Sequence, residues 1–122
     1  MKDLIERYLA AYNAFDIDGI ISLLSRAVRF ENYSGGQLTA AANGIDEFRQ
    51  LAEQSKSLFS EREQRITGLE LSHDSAVATI VYRGKLAADI PIGPPADTIL
   101  DLQGESEFSF CNGQITKIVD RS

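Results

Sequence analysis

Few residues in this 122-residue sequence are equipped for chemistry. There is one histidine, His73, and one cysteine, Cys111, too few for the usual zinc sites, so no metal is expected. His73 adjoins Asp74 in a turn with no nucleophile motif near it, which leaves no Ser-His-Asp set. Ser34-Gly35-Gly36 lacks the lysine and the following helix of a phosphate loop. Any proton transfer falls to carboxylates, with tyrosines, amides and hydroxyls as hydrogen-bonding partners.

Three polar residues lie on otherwise apolar faces. Tyr8 belongs to the apolar stripe of a helix and either fills the core or turns its hydroxyl into a cavity. Asn32 shares a strand face with Phe30, where an unpaired amide is costly, so it needs a protein partner or a ligand. Asp120 shares a face with Thr116 and Ile118. It is a candidate general base if that face lines a cavity, and otherwise a solvated carboxylate at a strand end. Tyr12, Phe15, Phe48, Phe59, Tyr82, Phe108 and Phe110 offer an aromatic lining, singly more easily read as core.

The elements that hold these residues follow from periodicity. Leu4, Ile5, Tyr8, Leu9, Tyr12 and Phe15 recur at steps of three and four, which predicts a helix over 3–15 with Asp3 and Glu6 at its start. Asp16 caps a short second helix whose buried side holds Ile17, Ile20, Ile21, Leu23 and Leu24. Residues 27–33 alternate as a strand, with Val28, Phe30 and Asn32 on one face and Arg29, Glu31 and Tyr33 on the other. Residues 34–43 read as a loop or a short edge hairpin, and a third helix spans about 45–59. The period then changes to two, with strands near 62–72, 75–88, 98–111 and 114–121. Asn112-Gly113 marks a tight hairpin. Residues 89–97 hold all three prolines and form a loop or a frayed hairpin tip, with Pro91 to Pro95 either a lid over a cavity or merely the tip. On the outer side, Asp101, Gln103, Glu105 and Glu107 make a polar stripe, and Glu31 is placed to pair with Arg83 or Lys85.

Helices followed by a run of antiparallel strands make an α+β domain, expected to be a single one over residues 1–122. Strands with apolar residues on both faces call for helices on one side and a second partner on the other, most simply a homodimer. The net charge of -6 argues against nucleic acid and against anionic membrane surfaces. No apolar run approaches a membrane span, no secretory leader is evident, and the single cysteine suits a reducing cytoplasm.

The stretch from Arg7-Tyr8 through Asn13-Ala14-Phe15-Asp16-Ile17-Asp18-Gly19-Ile20 resembles the opening of the ketosteroid isomerase and SnoaL-like branch of the NTF2-like superfamily. The resemblance runs ungapped through the first strand. It resumes at Gly44-Ile45-Asp46-Glu47-Phe48 and at Phe108-Ser109-Phe110-Cys111-Asn112-Gly113. It implies a cystatin-like cone: three helices lean on a curved antiparallel sheet, leave an apolar cavity at the wide end, and pair two copies through the sheet's outer face. Ketosteroid isomerases use an aspartate base and an oxyanion hole of a tyrosine and a protonated aspartic acid. By resemblance the tyrosine is Tyr8, the base position holds Asn32, and the acid position falls near Ser106, with Glu105 and Glu107 beside it pointing outward. An amide cannot act as a general base. Ketosteroid isomerase activity by that mechanism is therefore not expected, and Asp120 is the alternative base.

Two functions follow. One is a SnoaL-like protein that binds a small apolar ligand through Tyr8, Asn32, Asp120 and a lining of Tyr12, Phe30, Phe48, Phe59, Ser106 and Phe108. If it is an enzyme, the chemistry is isomerisation, dehydration or hydrolysis without a cofactor, with Asp120 or a water held by Asn32 as the base. The other is a non-catalytic dimeric interaction module whose cavity is filled by its own side chains. An open cavity favours the first, and a collapsed one the second.

Overall fold

A computed structural model describes residues 1–122. The elements run α1 (Lys2–Asn13), α2 (Ile17–Ile21), β1 (Leu24–Ser34), β2 (Gln37–Asn43), α3 (Gly44–Leu58), β3 (Phe59–Leu71), β4 (Ser75–Leu86), β5 (Ile99–Cys111) and β6 (Gln114–Arg121). All six strands join one sheet in the order β2-β1-β6-β5-β4-β3. Every neighbouring pair is antiparallel except β1 and β6, which run parallel. The helices cover one face, as the cone implied by the resemblance requires.

Local chemistry explains most boundaries. The helix α1 ends where Phe15 takes a left-handed conformation (φ 57°) that turns the chain back on itself. Asp16 then accepts a hydrogen bond from the Gly19 amide at 2.9 Å and caps α2, as its sequence position predicts. A side chain at Gly19 would strike that same carboxylate. Leu23 and Leu24, expected on the second helix, lie beyond it, where Leu24 opens β1; both are buried. Asp3 caps nothing and instead pairs with Arg7 at 3.6 Å on the exposed face of α1. The polar stretch after Ser34 forms β2, the edge strand of a hairpin, with a register shift between Asn32 and Tyr33.

The core lies between α1, α3 and the inner sheet face. Ile5, Ile20, Val28, Phe108, Ile115 and Ile118 are fully buried there. The ring of Tyr8 stands edge-on to Phe108, with centroids 5.6 Å apart. Two polar links from β3 fasten the end of α1. Asn13 Nδ2 donates to the Gln64 carbonyl at 3.1 Å, and the Gln64 amide donates back to Asn13 Oδ1 at 2.8 Å.

The outer face departs from expectation. It is mostly charged, and cross-strand neighbours there alternate in sign: Glu63, Arg83 and Asp101 sit side by side on β3, β4 and β5. Val77, Val81, Ile99 and Val119 are among its scattered apolar members, and Val119, between Glu31 and Glu107, is buried. Glu31 does not reach Arg83 or Lys85, because β4 lies three places from β1 in the sheet. It pairs instead with Arg29 at 2.9 Å and accepts from the Tyr33 hydroxyl at 3.1 Å; the bond from Arg29 holds its carboxyl below the usual range. Residues 87–98 form a closed connection between β4 and β5, held by Ile90 N–H to the Pro94 carbonyl and Ala96 N–H to Asp89 Oδ1. None of them lines the cavity described next. No helix is long and apolar enough to cross a membrane.

Candidate functional site

A cavity of about 500 Å³ opens between the helices and the inner sheet face, within the range of small-molecule sites. Of its 27 lining residues, 14 are hydrophobic. Phe30 and Phe48 meet edge-on with centroids 5.7 Å apart, as do Phe59 and Tyr82 at 5.8 Å. Leu58 and Leu102, each about half exposed, belong to the same lining and lie where it meets solvent. The cavity is open, which is not the arrangement of a module filled by its own side chains.

One row across the sheet carries the polar groups of the floor. Asn32 on β1 is the register partner of Asp120 on β6, and Asp120 is the register partner of Ser106 on β5. Strand alternation turns all three to the inner face, and all three line the cavity. A carboxylate therefore stands between the two positions where the resemblance calls for one and the sequence has an amide and a hydroxyl. The Ser106 hydroxyl donates to Asp120 Oδ1 at 2.6 Å. Burial pushes the Asp120 carboxyl up to about 6, against the lowering effect of the Ser106 bond. It is not the solvated strand-end group that was its plainer reading. The Asn32 amide has found a protein partner, donating to Thr39 Oγ1 at 2.8 Å on the edge strand.

Tyr8 reaches this floor from α1. It is 4% exposed and lines the cavity, and its hydroxyl has no hydrogen-bond partner in the protein. Burial, and then the charge of Asp120, hold its phenol well above the ordinary value, while Arg62 acts in the opposite direction. The hydroxyl thus remains a neutral donor under the opposed influences of the carboxylate and a cation.

That cation was not among the residues singled out from sequence. Arg62 on β3 is 8% exposed and forms no ion pair with any carboxylate. Its Nε donates to the Tyr12 carbonyl at 3.1 Å and one Nη donates to Ser55 Oγ at 3.4 Å. Its guanidinium carbon lies 3.8 Å from the centroid of the Tyr12 ring and 4.4 Å from that of Phe15. The bond to Tyr12 places a cation at the negative end of α1, which has no basic residue in its own last turn. Such contacts are worth about 0.5–2 kcal/mol each, set against several kcal/mol for taking a lone ion out of water. Period-two alternation, which puts Arg62, Gln64 and Ile66 on one face, was the available signal. Nearby, the Tyr12 hydroxyl donates to the Tyr82 hydroxyl at 3.3 Å.

The structure thus brings Tyr8, Asn32, Asp120, Tyr12, Phe30, Phe48, Phe59 and Ser106 to one cavity. Phe108 is the exception. It is 1% exposed, sits beneath the Tyr8 ring and does not line the cavity. It shares the face of Ser106 but lies two residues further along β5, where α1 packs down on the sheet. Phe110 stacks on Phe108, and Phe15 on Arg62, so neither of these lines the cavity either. His73 is exposed in its turn. No three His, Cys, Asp or Glu side chains converge as metal ligands would.

Comparison with known proteins agrees with this architecture. Among solved structures, a candidate SnoaL-like polyketide cyclase from Jannaschia sp. CCS1 is similar at 15% identity and a TM-score of 0.81, over 97% of this chain and 81% of that one. A ketosteroid isomerase-like fold protein from Catenulispora acidiphila, crystallised with trimethylamine, gives 14% identity and a TM-score of 0.80 over 96% and 82%. An uncharacterised cystatin-fold protein from Novosphingobium aromaticivorans gives 16% and 0.76 over 97% and 94%. At these identities the likeness is one of fold. No curated protein matches the sequence. The family model described as the SnoaL-like domain matches residues 5–118, nearly the whole chain, and this protein belongs to that family.

Proposed function

We propose that this SnoaL-like protein binds a small apolar carbonyl compound and moves a proton at the carbon beside the carbonyl, with Asp120 as the base. The observation that carries this reading is the position of Asp120. It is a cavity-wall carboxylate, held by Ser106 and raised to about 6, ionised at neutral pH yet more basic than an ordinary aspartate. Asp120 would take the carbon-bound proton as the electron pair shifts to the carbonyl oxygen, and the unpartnered Tyr8 hydroxyl would hold that oxygen as it becomes an enolate. Return of the proton at another carbon is isomerisation, and attack of the enolate on a second carbonyl closes a ring. The fold likeness to a candidate polyketide cyclase supports the same class of chemistry. Asn32, engaged by Thr39, would border the ligand without handling protons.

The test is hydrogen–deuterium exchange in D₂O, followed by NMR on bicyclic ketones and cyclic diketones chosen by thermal shift. Bound ketones should exchange faster than in buffer. Asp120→Asn should slow exchange by about 10²–10⁴-fold, the usual share of a general base, and Tyr8→Phe by about 10²-fold or more, that of one oxyanion donor. Ketones that bind without accelerated exchange would sink the catalytic part and leave a binding protein.

We propose further that two copies pair through the outer sheet face, through matching of its charges with a smaller share from the scattered apolar side chains Val77, Val81 and Ile99. A reducing cytoplasm suits the exposed thiol of Cys111.

A further inference from the structure

Far from the catalytic row, Arg62 and the Tyr12–Tyr82 pair carry hydrogen-bond donors on the cavity lining that no acceptor of the protein fills. A guanidinium carries five N–H groups. Arg62 uses one on Tyr12 and one on Ser55, which leaves three without a protein acceptor. The Tyr12 and Tyr82 hydroxyls share one hydrogen bond, which leaves one of their two O–H protons free for another acceptor. With the Tyr12 and Phe15 rings stacked on the guanidinium, what it offers the cavity is its N–H edge, the part that fits a planar two-oxygen anion. The other cation on the cavity wall, Arg121, is already paired with Glu105 at 3.8 Å and Glu107 at 3.3 Å.

The two polar centres lie well apart. Ser106 of the catalytic row pairs with Ala78 on β4, whereas Arg62 pairs with Gly84 on the same strand. Tyr82 is thus four residues along β4 from the row, about 13 Å at strand rise, and Arg62 lies further still in the same direction. A ligand spanning both would be a molecule of at least two fused or linked rings.

We infer that Arg62 and Tyr82 form a second, anion-binding subsite, and that the ligand carries a carboxylate at the end remote from Asp120. This rests on the proposed reading of the cavity as a ligand site and adds the substrate class: an apolar keto acid, with its reacting carbonyl at Tyr8 and Asp120 and its carboxylate on the Arg62 edge. Such an arrangement accounts for the buried cation without a carboxylate of the chain's own to balance it. It also fixes which end of the ligand meets the base.

The test uses titration calorimetry with 2-naphthoic acid and its neutral isostere 2-naphthamide, on wild type, Arg62→Met, Arg62→Lys and Tyr82→Phe. Wild type should bind the acid at least about tenfold more tightly than the amide, the scale of one charge-assisted pair. Arg62→Met should abolish that preference with little change in amide binding. Tyr82→Phe, which leaves the cation and the cavity shape in place, should reduce the preference by a few-fold. Should Arg62→Met fail to fold, as its far-UV circular dichroism would show, Arg62→Lys and Tyr82→Phe carry the test: both must weaken the acid more than the amide. Equal binding of acid and amide by wild type overturns the subsite and leaves the cavity as a ligand site. Binding of neither compound overturns the binding reading itself and the subsite with it.

Discussion

Asp120 stands between Asn32 and Ser106, and that placement governs what substitutions in the row will do. Its carboxyl is raised from 3.8 to about 6, so between those values the folded chain holds a proton that the unfolded chain has released. Stability from this group is therefore present at low pH and lost as pH rises through about 6. Asp120→Asn removes the ionisation while still accepting from Ser106. It should stabilise the protein by about 1–3 kcal/mol above pH 7 and by almost nothing at pH 4. Urea unfolding at the two pH values checks this, and a gain of equal size at both would show that ionisation is not its source. Asn32→Asp puts a carboxylate at the position where the resemblance has the base, but beside Asp120 it should do something else. It sets two carboxylates side by side and removes the amide that donates to Thr39. The pair should share a proton near neutral pH, as adjacent carboxylates do. The variant should lose about 1–3 kcal/mol at pH 7 and recover part of that at pH 5. NMR titration of the carboxyl carbons would reveal two coupled steps, and one ordinary titration near 4 would count against the row geometry.

At the scale of elements, α1 must be held at the right height for the Tyr8 hydroxyl to reach the floor. The bonds that hold it are the reciprocal pair between Asn13 and the Gln64 backbone and the Arg62 contact to the Tyr12 carbonyl. Asn13→Ala leaves the Gln64 amide and carbonyl without their partner. It should cost about 1–3 kcal/mol and slow ketone exchange along with stability, because the tyrosine is placed by that joint. Asp16→Ala removes only the cap of α2 and should cost about 1 kcal/mol with exchange unchanged. Comparing urea midpoints and exchange rates of the two variants checks the distinction; equal effects on exchange would deny α1 its positioning role. The Asn13 and Asp16 positions are both visible in the sequence. Only Asp16 could be read, since a cap bonds three residues away, whereas Asn13 bonds across 51 residues to β3.

Across the whole molecule, the outer sheet face changes the argument for a dimer. Apolar residues on both strand faces suggest that burial drives pairing, but the face is crossed by rows such as Glu63, Arg83 and Asp101. Pairing of two copies there would draw on ion pairs more than on apolar area, and exposed ion pairs weaken with salt. We expect a dimer at low ionic strength that dissociates as salt is raised, which sedimentation equilibrium would measure. A monomer at low salt would remove the dimer, and a salt-independent one would mean that apolar burial carries it.

The division between what was legible and what was not has a physical basis. Element types, the order of helices and strands, the Asp16 cap, the Asn112-Gly113 hairpin and the inward faces of Tyr8 and Asn32 are local or periodic properties. They repeat every two or 3.6 residues and are written in neighbouring letters. Which strand lies beside which is a long-range outcome. The parallel contact of β1 with β6 joins residues about ninety positions apart, and it alone puts Asp120 next to Asn32. The Tyr8 ring standing over Phe108 likewise decided that Phe108 is covered while Ser106, two residues away on the same face, stays open to the cavity. Sequence periodicity chose the face of each side chain, and tertiary packing decided which of those faces meet, because a pairing energy depends on both partners and no single segment encodes it.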